Sequence, residues 1–392
     1  MFLSLLLAAA AWSGTAATLL PLPDGPNDFN APGFVVRHAW VKFAMLLSRP
    51  FRGELSASEQ DAKVARYFEL NGLVETRERI AGDTDGGEDE RASARAALPA
   101  LRTERARLEN SVELILEGRL THVIEEAGLT RRLGRDVVWP PVNIEFQEPP
   151  SVLVKSPRGE IKKESETLLQ ADLPIERTEQ IEAEAERDGK TSALVVEIGG
   201  IAMYPAIIPE ESDYRYVLED IAHEWMHHYL YFTPLGRRYF SSAKLTTLNE
   251  TVADLVGKEL GEMAYAEHPP PGARTSGGRH ASPPAQRIDF TAEMRGLRRE
   301  VEAQLRDGRI EDAERLMEEK RRYLAANGYY IRKLNQAYFA FHGSYAGSAG
   351  SIDPIGPKLD ALRSRSESLA AFVERARELT SEDSLDRALA TP

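Results

Sequence analysis

A chain of 392 residues that is 42% hydrophobic can form one large domain with appendages or two domains, and its lack of cysteine excludes disulfides, thiolate metal ligands and a cysteine nucleophile. The net charge of −13 and the pI near 5.3 argue against nucleic acid as a partner, because phosphate binding needs a clustered lysine and arginine surface.

Residues 1–23, MFLSLLLAAAAWSGTAATLLPLP, carry no charged side chain. The apolar stretch from Phe2 to Trp12 has the length of a signal-peptide core, and continued through Leu20 it reaches the roughly 20 residues that cross a bilayer. A signal peptide or membrane anchor is expected, with the body exported or on the outer face. Arg37, Lys42 and Arg49 all follow the apolar run, and by the positive-inside rule they pull weakly the other way. Residues 33–47, GFVVRHAWVKFAMLL, read as an amphipathic helix suited to a membrane surface or to core packing.

From Ala57 to Leu129 the chain is rich in Ala, Glu, Arg and Leu, interrupted by AGDTDGGEDE at 81–90. Two helices are predicted, the second coiled-coil-like, with Pro99 a kink or a late start. The acidic run lacks the spacing of an EF-hand loop and reads as a solvated turn. These helices form an N-terminal region over 24–135. After Trp139-Pro140-Pro141 come short β-rich runs, VNIEFQ (142–147) and SVLVKS (151–156), then a helix over 174–188. TSALVVEIGGIAMYPAIIP (191–209) joins two more β-rich runs at Gly199-Gly200. A small mixed sheet is therefore laid down just before EDIAHEWMHHYL (219–230), where three of the eight histidines fall.

Ser212 or Asp213 is a suitable N-cap for that helix and Thr233-Pro234 a suitable stop. His223 and His227 are four residues apart and share a face, so both imidazoles can reach one metal ion. Glu224 flanks the pair and can meet a water on the metal without ligating it, which is the mechanical content of H-E-x-x-H. His228, about 100° around the helix from His227, should face away. Trp225 and Met226 read as core, and Asp220 as a supporting group or an exposed one. Downstream, residues 241–260 form a second amphipathic helix on which Glu250 and Asp254 share a face. The metzincin continuation HExxHxxGxxH is absent.

Across 191–264 the sequence resembles the gluzincin metallopeptidases, the thermolysin-like and related zinc families. They follow HExxH, some twenty or more residues later, with a helix bearing Asn-Glu-x-x-x-Asp. Here 22 residues lie between His227 and Glu250, and Asn249-Glu250-Thr251-Val252-Ala253-Asp254 fits that helix. The resemblance implies an α+β, mostly helical chain with a zincin-like core over 136–265 and helical, coiled-coil-like appendages. It also implies one Zn2+ held by His223, His227 and Glu250, with Asp254 accepting a hydrogen bond from a ligating imidazole, His223 in the first place. The run GGIAMYPAII falls where zincins place the edge strand that pairs with an extended substrate.

The expected reaction is peptide hydrolysis, with Glu224 taking the proton from a zinc-polarised water and returning it to the leaving amine. Gluzincins draw an oxyanion donor from beyond the second motif, and NQAYFAFHGSYAGS offers Tyr338, His342 and Tyr345. Aminopeptidase specificity is not supported: Tyr204-Pro205 stands where that strand would carry a polar residue and an acid, and Glu197 is a weak stand-in. Residues 266–288 read as a flexible Pro, Gly and Ser-rich loop. Residues 289–392 form a C-terminal helical region completing the cleft, with one helical block over 289–342 and a last helix near 366–379. The competing class is a membrane-tethered helical scaffold that binds a partner and no metal.

Overall fold

Ser56 and Glu59 close a capping box on the first long helix, α1 (Ala57–Gly82), each side chain bonding the other's backbone N–H. Helix α2 (Glu88–Glu126) packs along α1. The computed structural model describes residues 25–38, 55–83, 87–132, 136–270 and 288–390. The apolar segment 1–23 and most of the Pro-rich loop therefore lie outside the described residues, as does the second half of the amphipathic stretch, of which residues 31–38 are helical. Among the described residues, no helix is long and apolar enough to cross a membrane. Pro99 neither starts nor ends α2, which runs through it from Glu88.

The sheet region differs from the expected single mixed sheet. Strand β3 (Ile144–Phe146) pairs in parallel with β7 (Ala206–Ile208), while β4 (Ser151–Pro157) lies between β5 (Ser165–Leu169) and β6 (Thr191–Val196), antiparallel to both. A third, minor pair joins β1 (Arg131–Arg132) to β2 (Asp136–Val137). Alternate residues of β4 serve two faces, as the pleat requires. Val152 and Val154 pack with Phe341, and Leu153 packs with Ile181 of α3 (Ile175–Ala185). The outer edge of β3 is closed by two buried glutamates of α2, Glu113 accepting from Phe146 N at 2.8 Å and Glu117 from Ile144 N at 3.1 Å. Those acids satisfy backbone donors that burial would otherwise strand.

Helix α4 (Tyr214–Tyr231) starts at Asp213, whose carboxylate accepts from Arg215 N and Tyr216 N, and ends before Thr233-Pro234. A 3-10 turn at Gly236–Ser241 reverses the chain into α5 (Ala243–Glu267), which lies antiparallel to α4 in the most extensive helix pairing of the molecule. Two glycines one turn apart permit that contact. A Cβ on Gly257 would stand 2.9 Å from His223 N, and one on Gly261 2.7 Å from Glu219 Cα. Only a bare backbone admits helices this close.

The expected N-terminal, core and C-terminal regions do not each own a core. A single apolar cluster draws on Tyr67 of α1, Leu116 and Leu120 of α2, Ile144, Trp225, Val252, and Leu359, Phe372 and Leu385 from three C-terminal helices. The N-terminal hairpin is thus packed into the central body and not appended to it. Helices α6 (Phe290–Arg306) and α7 (Ile310–Ala326) build a separate cluster, and α8 (Gln336–His342) covers β4 and β6. Where one last helix was expected there are three, α9 (Ile355–Ser364), α10 (Leu369–Ala376) and α11 (Glu382–Ala390). The chain is mostly helical with small sheets, an α+β architecture.

Candidate metal centre

The antiparallel contact of α4 with α5 brings three donors together. His223 Nε2 lies 3.0 Å from His227 Nε2 and 3.6 Å from Glu250 Oε2, and His227 Nε2 lies 3.4 Å from that same oxygen. Ligands on a tetrahedral zinc with bonds of about 2.0–2.1 Å are separated by about 3.3 Å. The circle through the three atoms has a radius of about 1.9 Å, so one cation reaches all of them. Glu250 is 4% exposed, and its Oε2 is buried with no hydrogen-bond partner among the described residues. A buried carboxylate oxygen left in this way is what a metal ion would satisfy.

Each imidazole is oriented from behind. His223 Nδ1 faces Asp254 Oδ1 at 3.0 Å, the contact expected from sequence, and His227 Nδ1 faces Asn249 Oδ1 at 2.8 Å. An acceptor at Nδ1 puts the ring proton there and leaves Nε2 its lone pair for a metal. Tyr239, in the 3-10 turn, donates its hydroxyl to Glu250 Oε1 and so leaves Oε2 as the inward oxygen. Asn249 belongs to the Asn-Glu-x-x-x-Asp run but acquires its role only through this geometry. Tyr239 follows no periodic pattern that would have singled it out.

The charges of these groups act strongly on one another. Burial works to raise the Glu250 pKa, but the charges of His227 and His223 outweigh it and hold it well below the carboxylate range. Burial works to depress His223, yet the Asp254 and Glu250 hydrogen bonds and the Glu224 charge lift it well above its ordinary value. A metal ion binds imidazole and carboxylate in their deprotonated forms. Glu224 is 5% exposed, and burial raises its pKa against the opposing pull of the two histidines. It makes room under Gly200, where a Cβ would stand 2.7 Å from Glu224 Oε1.

His228 does face away, bonding the Met203 carbonyl through Nε2 at 2.7 Å. Burial pushes its pKa down to about 4, so the ring is a neutral strut between α4 and the chain before β7. Trp225 and Met226 are core, and Trp225 Nε1 donates to the Pro140 carbonyl. Of the oxyanion candidates, Tyr345 sits within the field of the centre: the charge of Glu250 first, then burial, then Glu224 and Asp254 hold its phenol well above the ordinary value. His342 stacks on Tyr338 with ring centroids 4.2 Å apart, and burial alone, without a neighbouring charge, lowers it to about 4. The structure thus brings His223, His227 and Glu250 together, leaves Glu224 and Tyr345 within reach of their charge, and leaves His342 in the aromatic packing of α8.

The expected edge strand is also placed differently. Residues 206–208 pair with β3 on one side, while Ile207 exchanges hydrogen bonds with Ile201 on the other. The backbone that lies over Glu224 is that of Gly200, with Gly199 over Tyr216 and Asp220. Comparison with family models, with curated proteins and with solved structures finds no match for this chain.

Proposed function

We propose that the chain is a zinc-dependent metallopeptidase of the gluzincin kind, with a zincin-like core, acting on a peptide or protein substrate and not on nucleic acid. The observation that carries this reading is the convergence of two Nε2 atoms and the unpartnered Glu250 Oε2 within reach of one ion, while both Nδ1 atoms are held by outer acceptors. A set of two imidazoles and one carboxylate suits zinc with a position left open for catalysis. Bound there, zinc would supply Lewis acidity, polarising a peptide carbonyl and making water a nucleophile near neutral pH.

The chain's own residues do the rest. Glu224 takes the proton of the attacking water and passes it to the leaving amine, a task suited to a buried carboxylate whose pKa is raised above the ordinary range. Ile198, Gly199 and Gly200 present backbone N–H and C=O groups to an extended peptide. Tyr345, kept protonated by the surrounding carboxylates, donates to the oxygen on which charge develops. The uncharged segment 1–23 supports export or anchoring of the enzyme at a membrane.

Glu224→Gln tests the assignment, because it keeps the size of the side chain and all three ligands. Peptide turnover should fall about 100- to 10,000-fold while zinc content is unchanged. Turnover within a few-fold of the parent in zinc-loaded protein would remove Glu224 from the chemistry and the peptidase reading with it.

A further inference from the structure

One turn before Glu224 on α4 stands a second carboxylate that neither the fold nor the candidate metal centre uses. Asp220 lies four residues before Glu224 on α4, one turn away on the same face, with Tyr216 one turn further. The chain after β6 crosses above these side chains as bare backbone. A Cβ on Gly199 would stand 3.1 Å from Tyr216 Oη and 3.8 Å from each oxygen of Asp220, just as one on Gly200 would meet Glu224. Asp220 makes no side-chain hydrogen bond or ion pair among the described residues, and its Oδ2 is buried. It is not among the donors that converge on the candidate centre, which are His223, His227 and Glu250. Asp220 is half-buried, but its Oδ2 is shut off from water without a partner, and a carboxylate oxygen left so costs stability unless something else completes it.

The surroundings define the charge of that missing partner. Burial, then Glu224, act to raise the Asp220 pKa; His223 opposes them, and Glu211 and Asp254 add to the rise. Glu211 acts also on Glu148, which loss of solvent and the charges of Asp172, Glu197, Glu210 and Glu211 hold at about 7. No lysine or arginine is among the strongest influences on either acid. An anionic ligand would be repelled here, whereas a cation would relieve the repulsion.

We infer that Asp220 is a specificity-determining residue that binds a cationic group of the peptide, an α-ammonium or a Lys or Arg side chain, beside the bond that Glu224 attends. This rests on the proposed peptidase site. Neighbouring side chains one helical turn apart are about 5–6 Å from each other, and an extended peptide advances about 3.3 Å per residue. The cationic group therefore belongs within about two residues of the scissile bond.

The test reads binding, so that it does not depend on turnover. The zinc-loaded full chain carrying Glu224→Gln is titrated calorimetrically with an acetylated alanine-rich peptide containing one lysine, its norleucine counterpart, and an alanine-rich peptide with a free amino terminus. At least one cationic peptide should bind about tenfold or more tighter than the norleucine peptide, as a hydrogen bond to a charged group implies, and Asp220→Asn should bring the ratio to within about threefold. Preference for the acetylated lysine peptide identifies a side chain as the cation, and preference for the free amine identifies the amino terminus. Zinc content of the Asp220→Asn protein verifies that its site is folded. Equal binding of all three peptides, a preference that survives Asp220→Asn, or no binding at all overturns the inference. Cleavage of a peptide mixture by the chain with Glu224 intact, without any bias towards cationic residues, would overturn it and leave the peptidase reading standing. Selective binding without cleavage would do the reverse.

Discussion

Asp254→Ala and Asn249→Ala each remove one acceptor behind an imidazole of the candidate metal centre, at 3.0 Å from His223 Nδ1 and 2.8 Å from His227 Nδ1. Losing such a partner costs about 10- to 100-fold in metal affinity, or about 1.4–2.8 kcal/mol, because the ring must then find its own tautomer and orientation. Asp254 adds a negative charge that favours a bound cation, but its side chain is 41% exposed and solvent screens much of that effect. Asn249 is neutral and 1% exposed, so its hydrogen bond loses nothing to solvent. The two alanine variants are therefore expected to weaken zinc by similar amounts, about tenfold each. Asp254→Asn, which keeps an acceptor in place, should cost no more than about threefold. Competition against a chromophoric zinc chelator at neutral pH measures all three. Affinities within twofold of the parent for both alanine variants would show that the contacts do not orient the ligands, and the geometric argument would fail.

Other expectations follow from the same contacts. Gly261→Ala drives a Cβ to within 2.7 Å of the Glu219 backbone, so it should destabilise the fold by roughly 1–3 kcal/mol and weaken zinc binding as α5 moves off α4. In Gly118→Ala, by contrast, the new methyl meets nothing within 4 Å on α2, and denaturant unfolding should show a gain of about 0.5–1 kcal/mol. His228 has a folded pKa of about 4, below its unfolded value near 6.5, so its neutral ring contributes stability in full above pH 6.5 and loses it as pH falls towards 4. Urea unfolding at pH 7 and pH 4.5 should show the parent losing about 2–3 kcal/mol more than His228→Gln does; equal losses would mean the ring is not held neutral. Tyr345→Phe should lower kcat by about 100-fold with KM little changed, and an unchanged kcat would return the oxyanion role to another donor.

The residues of the candidate centre were legible because their spacing is short and tied to the helical period: His223, Glu224 and His227 fall on one stretch of α4, and Glu250 and Asp254 on one stretch of α5. What periodicity does not carry is how two helices meet. Gly257 and Gly261 set that approach, and with it the distances in the site, yet in sequence they are only two small residues within an apolar stripe. The same limit explains α1 and α2, whose helical composition was plain while the cluster they join, from Tyr67 to Leu385, was not. An apolar face announces burial without naming its partner. Strand β5, Ser-Glu-Thr-Leu-Leu, was missed because an edge strand with polar residues lacks the β-branched alternation that marks a buried one. At the C-terminal end the helix expected near 366–379 corresponds to α10 alone, while α9 directly follows a Gly and Pro-rich run and α11 is only nine residues long, too short for a clear periodic signal. Asn249, Tyr239 and Asp220 matter only through groups brought to them by the tertiary fold, so no local pattern could assign their roles.

Metal content bears most directly on the account as a whole. Elemental analysis of the purified chain, beside Glu250→Ala, is predicted to find about one zinc per molecule in the parent and a small fraction of that in the variant, because two imidazoles alone leave the site one protein ligand short. Parent protein that holds no zinc after zinc has been offered and excess removed would contradict the account, and the pairing of α4 with α5 would then be helix packing and nothing more.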